Sequence, residues 1–86
     1  MYQVVLADGP RRFFEKADAE LQRRLDRAFE QLKVDPRRHA NIRPLKGKLA
    51  GAFRYRVGDY RVVYRIHEQT KVVAVITIAH RRGVYG

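Results

Sequence analysis

The 86-residue chain contains no cysteine, so neither a disulfide framework nor a thiolate metal site can supplement its core. At this length only about 60 to 65 per cent of the unfolded chain's surface can be buried, and one domain over residues 1–86 is expected. Long apolar runs are also missing. None reaches the roughly 18 residues of a membrane span, and the opening Met-Tyr-Gln-Val-Val-Leu-Ala-Asp has no basic residue ahead of its apolar part, so no signal peptide is read. The expected location is the cytoplasm, with no membrane partner. His39, His67 and His80 lie far apart in sequence, so no metal-ligand set is evident and neither a metal nor another cofactor is expected. A Ser-His-Asp arrangement, a Gly-rich phosphate loop and GxGxxG are likewise absent.

Acidic residues are scarce in one half only. Residues 1–36 carry seven Lys/Arg against seven Asp/Glu, whereas residues 37–86 carry the other twelve basic residues against Asp59 and Glu68 alone. The whole net charge of +10 therefore resides in the second half. That half has to face a polyanion or a very acidic protein.

The stretch from Phe53 to Ile66 reads as a β-hairpin. Two alternating runs rich in β-branched and aromatic residues flank Gly58-Asp59, and Gly at the first central position suits a type II′ turn. This turn sets Val57 opposite Tyr60, Arg56 opposite Arg61, Tyr55 opposite Val62, Arg54 opposite Val63 and Phe53 opposite Tyr64. Arg54, Arg56 and Arg61 then share one face. Like charges directly opposite on a sheet are destabilising by a few tenths to about 1 kcal/mol, whereas paired guanidinium donors match phosphate oxygens. The cluster fits a phosphate site, and it also fits a solvated face whose charges prevent edge pairing. Phe53, Tyr55, Tyr60 and Tyr64 alternate with the arginines and read as the core face rather than as base-stacking platforms.

Elsewhere, residues 2–7 read as a strand followed by a turn at Asp8-Gly9-Pro10, with Asp8 as a candidate cap for a short helix over Arg11–Ala17. Asp18 reads as the N-cap of a second helix that carries Leu21, Leu25, Ala28, Phe29 and Leu32 at helical spacing and ends before Asp35-Pro36. Residues 37–52, with Arg43, Lys46 and Lys48, read as a connecting loop with its lysines in solvent. Lys71–Ala79 is apolar after its first residue and reads as an interior strand covered on both sides. His80-Arg81-Arg82 and Tyr85 follow it at the end of the sheet, where they are expected to join the hairpin arginines. The order is β-α-α-β-β-β: an α+β domain with an N-terminal helical hairpin packed on a small, mainly antiparallel sheet.

Leu45-Lys46-Gly47, the run Arg54-Tyr55-Arg56-Val57-Gly58-Asp59-Tyr60-Arg61-Val62-Val63-Tyr64, Ala79-His80-Arg81-Arg82 and Val84-Tyr85 resemble the RelE/ParE superfamily of toxins from toxin–antitoxin pairs, over essentially the whole chain. RelE-like members cleave messenger RNA on the ribosome, and ParE-like members poison DNA gyrase. The resemblance to the RelE branch implies a metal-independent endoribonuclease in which the ribose 2′-hydroxyl attacks the adjacent phosphate, leaving a 2′,3′-cyclic phosphate and inhibiting translation. It places Arg61 at the phosphate-binding arginine and Arg54 and Arg56 at the basic pair on the first hairpin strand. Arg81 stands at the residue that helps the leaving oxygen, and Tyr85 at the aromatic that serves as base or stacking platform. Lys46, Lys48 and Arg82 would add RNA contacts. Because arginine is a poor proton donor, proton transfer falls to His80, Tyr85 or Arg81.

The implied partners are messenger RNA on the ribosome and an acidic, RelB-like antitoxin, with a toxin–antitoxin heterotetramer as one assembly the resemblance allows. Two other functions stay open at this point: a gyrase inhibitor without nuclease chemistry, which does not need the set Arg54, Arg56, Arg61, Arg81 and Tyr85, and a non-catalytic RNA-binding domain, for which the arginines alone suffice.

Overall fold

A computed structural model of the chain describes residues 1–82. Strand β1 spans Gln3–Leu6, helix α1 Asp8–Lys16, helix α2 Ala19–Val34, and strands β2 to β5 span Ile42–Pro44, Ala52–Val57, Tyr60–His67 and Val72–His80. The strands form one sheet in the order β1-β5-β4-β3-β2. The β1–β5 pair is parallel and the other pairs are antiparallel. This is the expected α+β architecture with one strand added.

Alternation decides what each face of the sheet carries. Tyr55 and Val57 of β3, Val62 and Tyr64 of β4, and Val73, Val75 and Ile78 of β5 form one buried cluster with Leu25, Ala28, Phe29 and Leu32 of α2. Phe13, Phe14 and Leu21 pack against this cluster, and the Phe14 and Phe29 rings lie 6.0 Å apart, joining the two helices. The aromatic residues of the hairpin thus belong to the core, with Phe53 stacked on Tyr64 at 5.8 Å. The helices cover this face only.

Helix α2 starts as expected: the Asp18 carboxylate accepts from the Leu21 N–H at 2.8 Å, satisfying one of the free donors of the first turn. At α1 the N-cap is Ala7, which makes no side-chain capping bond; Asp8 lies inside the first helical turn. No separate turn intervenes at Asp8-Gly9-Pro10, because Pro10 is accommodated in a first turn where its missing N–H has no intrahelical partner. The segment expected as a loop holds strand β2 and a 3-10 turn over Gly47–Leu49. Strand β5 is interior, between β1 and β4, yet only its helix-facing residues Val73, Val75 and Ile78 are buried; Ala74, Ile76 and Thr77 are half-exposed. Its continuous apolar run therefore reflects small and aliphatic residues on the uncovered face rather than a second covering layer. Among the described residues no helix is long and apolar enough to cross a membrane.

Four polar contacts fix the end of the sheet away from the Gly58 turn. The fully buried Tyr64 hydroxyl donates to the Pro36 carbonyl at 2.6 Å, and burial pushes the phenol's pKa above its ordinary value. On the surface, Glu68 accepts from the Tyr2 hydroxyl at 2.8 Å, from Arg37 at 3.1 Å and from Lys71. These bonds tie β1, the α2–β2 connection and the β4–β5 turn together. They hold the Glu68 carboxyl at about 2, well below the ordinary carboxylate value.

Tyr64→Phe leaves the Pro36 carbonyl without its buried donor, and urea unfolding is expected to show a loss of about 1 to 3 kcal/mol. For Glu68 the folded pKa lies below the unfolded one, so its contribution is present above about 4.5 and is lost as pH falls towards about 2. Unfolding midpoints of the wild type and Glu68→Gln should differ at neutral pH and converge at the acid end of that window.

Candidate nucleic-acid interface

The hairpin has the register its turn dictates: Val57 pairs with Tyr60, Arg56 with Arg61, Tyr55 with Val62, Arg54 with Val63 and Phe53 with Tyr64. Gly58 sits at φ 59° while Asp59 keeps a negative φ, as a type II′ turn requires. Arg54, Arg56 and Arg61 consequently share the face turned away from the helices. Two further arginines join them there. Arg43 of β2 pairs directly with Arg54, and Arg65 lies on the same side of β4, four residues beyond Arg61. None of the five strands contains an Asp or Glu.

The centre of this face is apolar. Val63 is 2% exposed, and its neighbours on the face are Arg54, Arg61, Arg65 and Thr77, whose longer members have stems able to cover it. Arg54 is half-buried, and its Nε is buried without a hydrogen-bond partner. Arg56 and Arg43 are exposed. Arg61 donates to the Tyr60 carbonyl at 3.3 Å, which helps to set its guanidinium over the sheet.

After β5, the Arg81 N–H donates to the Asp59 carbonyl at 2.7 Å, which fastens Arg81 to the hairpin turn at the Arg56–Arg61 end of the sheet. His80 goes elsewhere. It pairs with Tyr60, whose parity puts it on the helix side, and the two rings meet edge to face at 5.5 Å while Tyr60 in turn packs on Phe13 at 5.6 Å. The expectation that His80 joins the arginines is therefore corrected: it stands across the sheet from them. Lys46 caps and Lys48 lies within the 3-10 turn that precedes Ala52, at the opposite end of β3 from Arg56 and roughly 13 Å along the strand at the usual rise. Arg82 follows Arg81 and is exposed. Tyr85 lies outside the described residues.

His39 is stacked on Tyr55 at 5.1 Å, and its Nδ1 accepts from the Asn41 N–H at 3.0 Å. Among the described residues, no three His, Cys, Asp or Glu side chains come together as a metal site would require. Arg43 and Arg65 are members of the face that the sequence pattern did not single out. The signal for Arg65 was present in the hairpin register, whereas Arg43 depends on a strand that sequence pattern alone did not mark.

The opposed Arg43 and Arg54 make a testable cost. Arg43→Thr, which keeps a strand-compatible side chain, is expected to raise stability by a few tenths to about 1 kcal/mol, read from urea unfolding at low salt.

Comparison with known proteins bears on this arrangement. Residues 8–85 match the family described as the ParE toxin of the type II toxin–antitoxin system parDE. Toxin RelG of Mycobacterium tuberculosis is 38% identical over 58 residues, a match that spans 67% of this chain and 64% of that protein. The toxin–antitoxin complex RelBE2 of the same organism superposes with a TM-score of 0.79 at 28% identity, covering 93% of this chain and 98% of its counterpart. The archaeal RelE–RelB complex of Pyrococcus horikoshii superposes at 0.81 with 23% identity over 96% and 98% of the two chains, a likeness of fold. With a family match over nearly its whole length and the same sheet and helices, the chain belongs to the ParE toxin family of type II toxin–antitoxin systems, within the RelE/ParE superfamily.

Proposed function

We propose that this toxin is a ribosome-dependent messenger RNA endoribonuclease of the RelE type. The observation that supports it is the acid-free sheet face with Arg43, Arg54, Arg56, Arg61 and Arg65 turned away from the helices. A gyrase-binding surface has no chemical need for opposed guanidinium pairs, whereas an RNA phosphate answers their mutual repulsion.

In the proposed reaction the ribose 2′-oxygen attacks the adjacent phosphorus as a base removes its proton. The bond from phosphorus to the 5′-oxygen breaks, and that oxygen leaves as a hydroxyl after gaining a proton. Arg61 holds the non-bridging oxygens as charge builds on them, and one donor so placed is worth on the order of 3 to 4 kcal/mol. Arg54 and Arg56 bind the same phosphate and its neighbour. Arg81, fastened to the turn, serves the leaving oxygen. Guanidinium supplies the cationic charge, so no metal is needed for that purpose. His80 stands across the sheet from the arginines, and the resemblance to the RelE branch gives the role of base to Tyr85. Lys46, Lys48 and Arg82 contact RNA more peripherally. In this reading a small acidic antitoxin of the RelB kind neutralises the toxin in the cytoplasm by covering the basic face.

The match to the ParE toxin family supports a second reading, inhibition of DNA gyrase through protein binding. RNA from cells expressing the toxin separates the two: cyclic phosphate ends on cleaved messages support the nuclease, and intact messages with stalled gyrase refute it.

Single-turnover cleavage on programmed ribosomes should fall about 10² to 10³-fold for Arg61→Ala and about 10² to 10⁴-fold for Tyr85→Phe. His80→Gln should stay within a few-fold of the wild type. Full activity in both of the first two variants sinks the proposed site. Affinity for RNA should drop by orders of magnitude between about 50 and 200 mM salt through counterion release.

A further inference from the structure

The outer edge of β3 is covered only in part. Strand β2 has three residues, and its pairing with β3 runs from Pro44 opposite Phe53 to Ile42 opposite Tyr55. One more bond follows, from the Arg56 N–H to the Asn41 carbonyl at 2.9 Å. Beyond it, α2 passes beside the edge, and a hollow of about 220 Å³ opens between Arg24 and Arg27 of the helix, Asn41, and Tyr55, Arg56 and Gly58 of the hairpin. No acidic residue lines it.

Three guanidinium groups from two elements converge on this hollow. Arg24 and Arg27, three residues apart, lie on the same side of α2. The Arg24 guanidinium comes so close to the turn that a Cβ at Gly58 would stand 3.0 Å from its Nη1. Its nearest carboxylate, Glu20, is 3.8 Å away, beyond hydrogen-bond length. Among the described residues, neither Arg27 nor Arg56 forms an ion pair. Arg56 belongs to both places, since alternation puts it on the arginine face and its position at the edge puts it on the rim of the hollow. Arg56 thus links the arginine face to the hollow lined by Arg24 and Arg27.

We infer that the Arg24–Arg27–Arg56 hollow is a second phosphate site, which takes a backbone phosphate of the RNA outside the cleaved step. The inference rests on the RNA reading of the arginine face and extends it round the sheet edge onto α2. Its place is substrate binding rather than chemistry. An acidic polypeptide would satisfy the same charges, but continuity with the arginine face favours RNA.

The test measures binding of the full chain to single-stranded RNAs of three and nine nucleotides, made uncleavable by a 2′-deoxy substitution, together with cleavage on programmed ribosomes. Arg24→Ala/Arg27→Ala is compared with wild type and with Lys33→Ala, a control at the far end of α2. Arg24 and Arg27 are exposed and Lys33 is half-buried at the surface, so folding is expected to persist, and circular dichroism checks it. The double variant should bind the nine-nucleotide RNA about tenfold more weakly. Its log–log salt slope should be shallower by about 0.7, the contribution of the one phosphate neutralised on a single strand. Three-nucleotide binding and the saturated cleavage rate should not change.

A double variant that binds the nine-nucleotide RNA as tightly as a wild type that still cleaves messages overturns the inference alone. An equal loss on both RNAs, or a loss confined to a polyglutamate peptide, also overturns it. A wild type that neither binds nor cleaves RNA removes the RNA reading and this site together.

Discussion

The period-two alternation of β3 and β4, pinned by the Gly58-Asp59 turn, is the constraint on which the rest of the molecule depends. Slipping the pairing by one residue would turn Tyr55, Val57, Val62 and Tyr64 into solvent and drive Arg54, Arg56 and Arg61 against α2. Burying an unpaired guanidinium costs several kcal/mol, a large fraction of the stability of a domain this small. Register and the outward placement of the arginines are thus set by the same event. Once the tyrosines find the helix, the arginines have one place to go.

That arrangement carries its own cost. Arg43 opposes Arg54 and Arg56 opposes Arg61, and the buried Arg54 Nε has no partner. The fold offsets these terms with a core in which Leu25, Leu32, Val62, Tyr64, Val73 and Val75 are wholly buried, and with the Glu68 contacts that hold the far end closed. In the proposed function, a bound phosphate would relieve the repulsion between these guanidinium groups.

The hairpin was legible in the sequence down to its register, since a two-residue turn fixes strand pairing with no help from the rest of the chain. Helix α2 was equally legible from Asp18 and the spacing of its leucines. Strand β2 was not: three residues ending in proline give no period, and Ile42 and Arg43 are extended because β3 offers them partners. The face of His80 was hidden for a related reason. A continuously apolar strand has no alternation to read, and β5 passes a bulge where Val63 pairs with Thr77 but Tyr64 with Val75, so that Ile76 is left over. Only the pairing of His80 with Tyr60 shows which way it points. Tertiary partners, not local pattern, decided each of these cases.

The choice of arginine over lysine on this face has a chemical consequence. A lysine near other cations loses its proton readily and can act as an acid or a base, whereas guanidinium stays charged across the whole working range. A site built from arginines therefore binds phosphate with a strength that pH does not modulate, and it has no proton of its own to give cheaply. In the proposed reaction, any pH dependence then belongs to whichever other group exchanges the 2′-hydroxyl proton. With His80 on the helix side and edge-on to Tyr60, that dependence should follow a phenol rather than an imidazole: the rate rises with pH through neutrality instead of levelling near 6.5. In the proposed reaction the arginine face thus holds the phosphate, and moving the 2′-hydroxyl proton falls to another group.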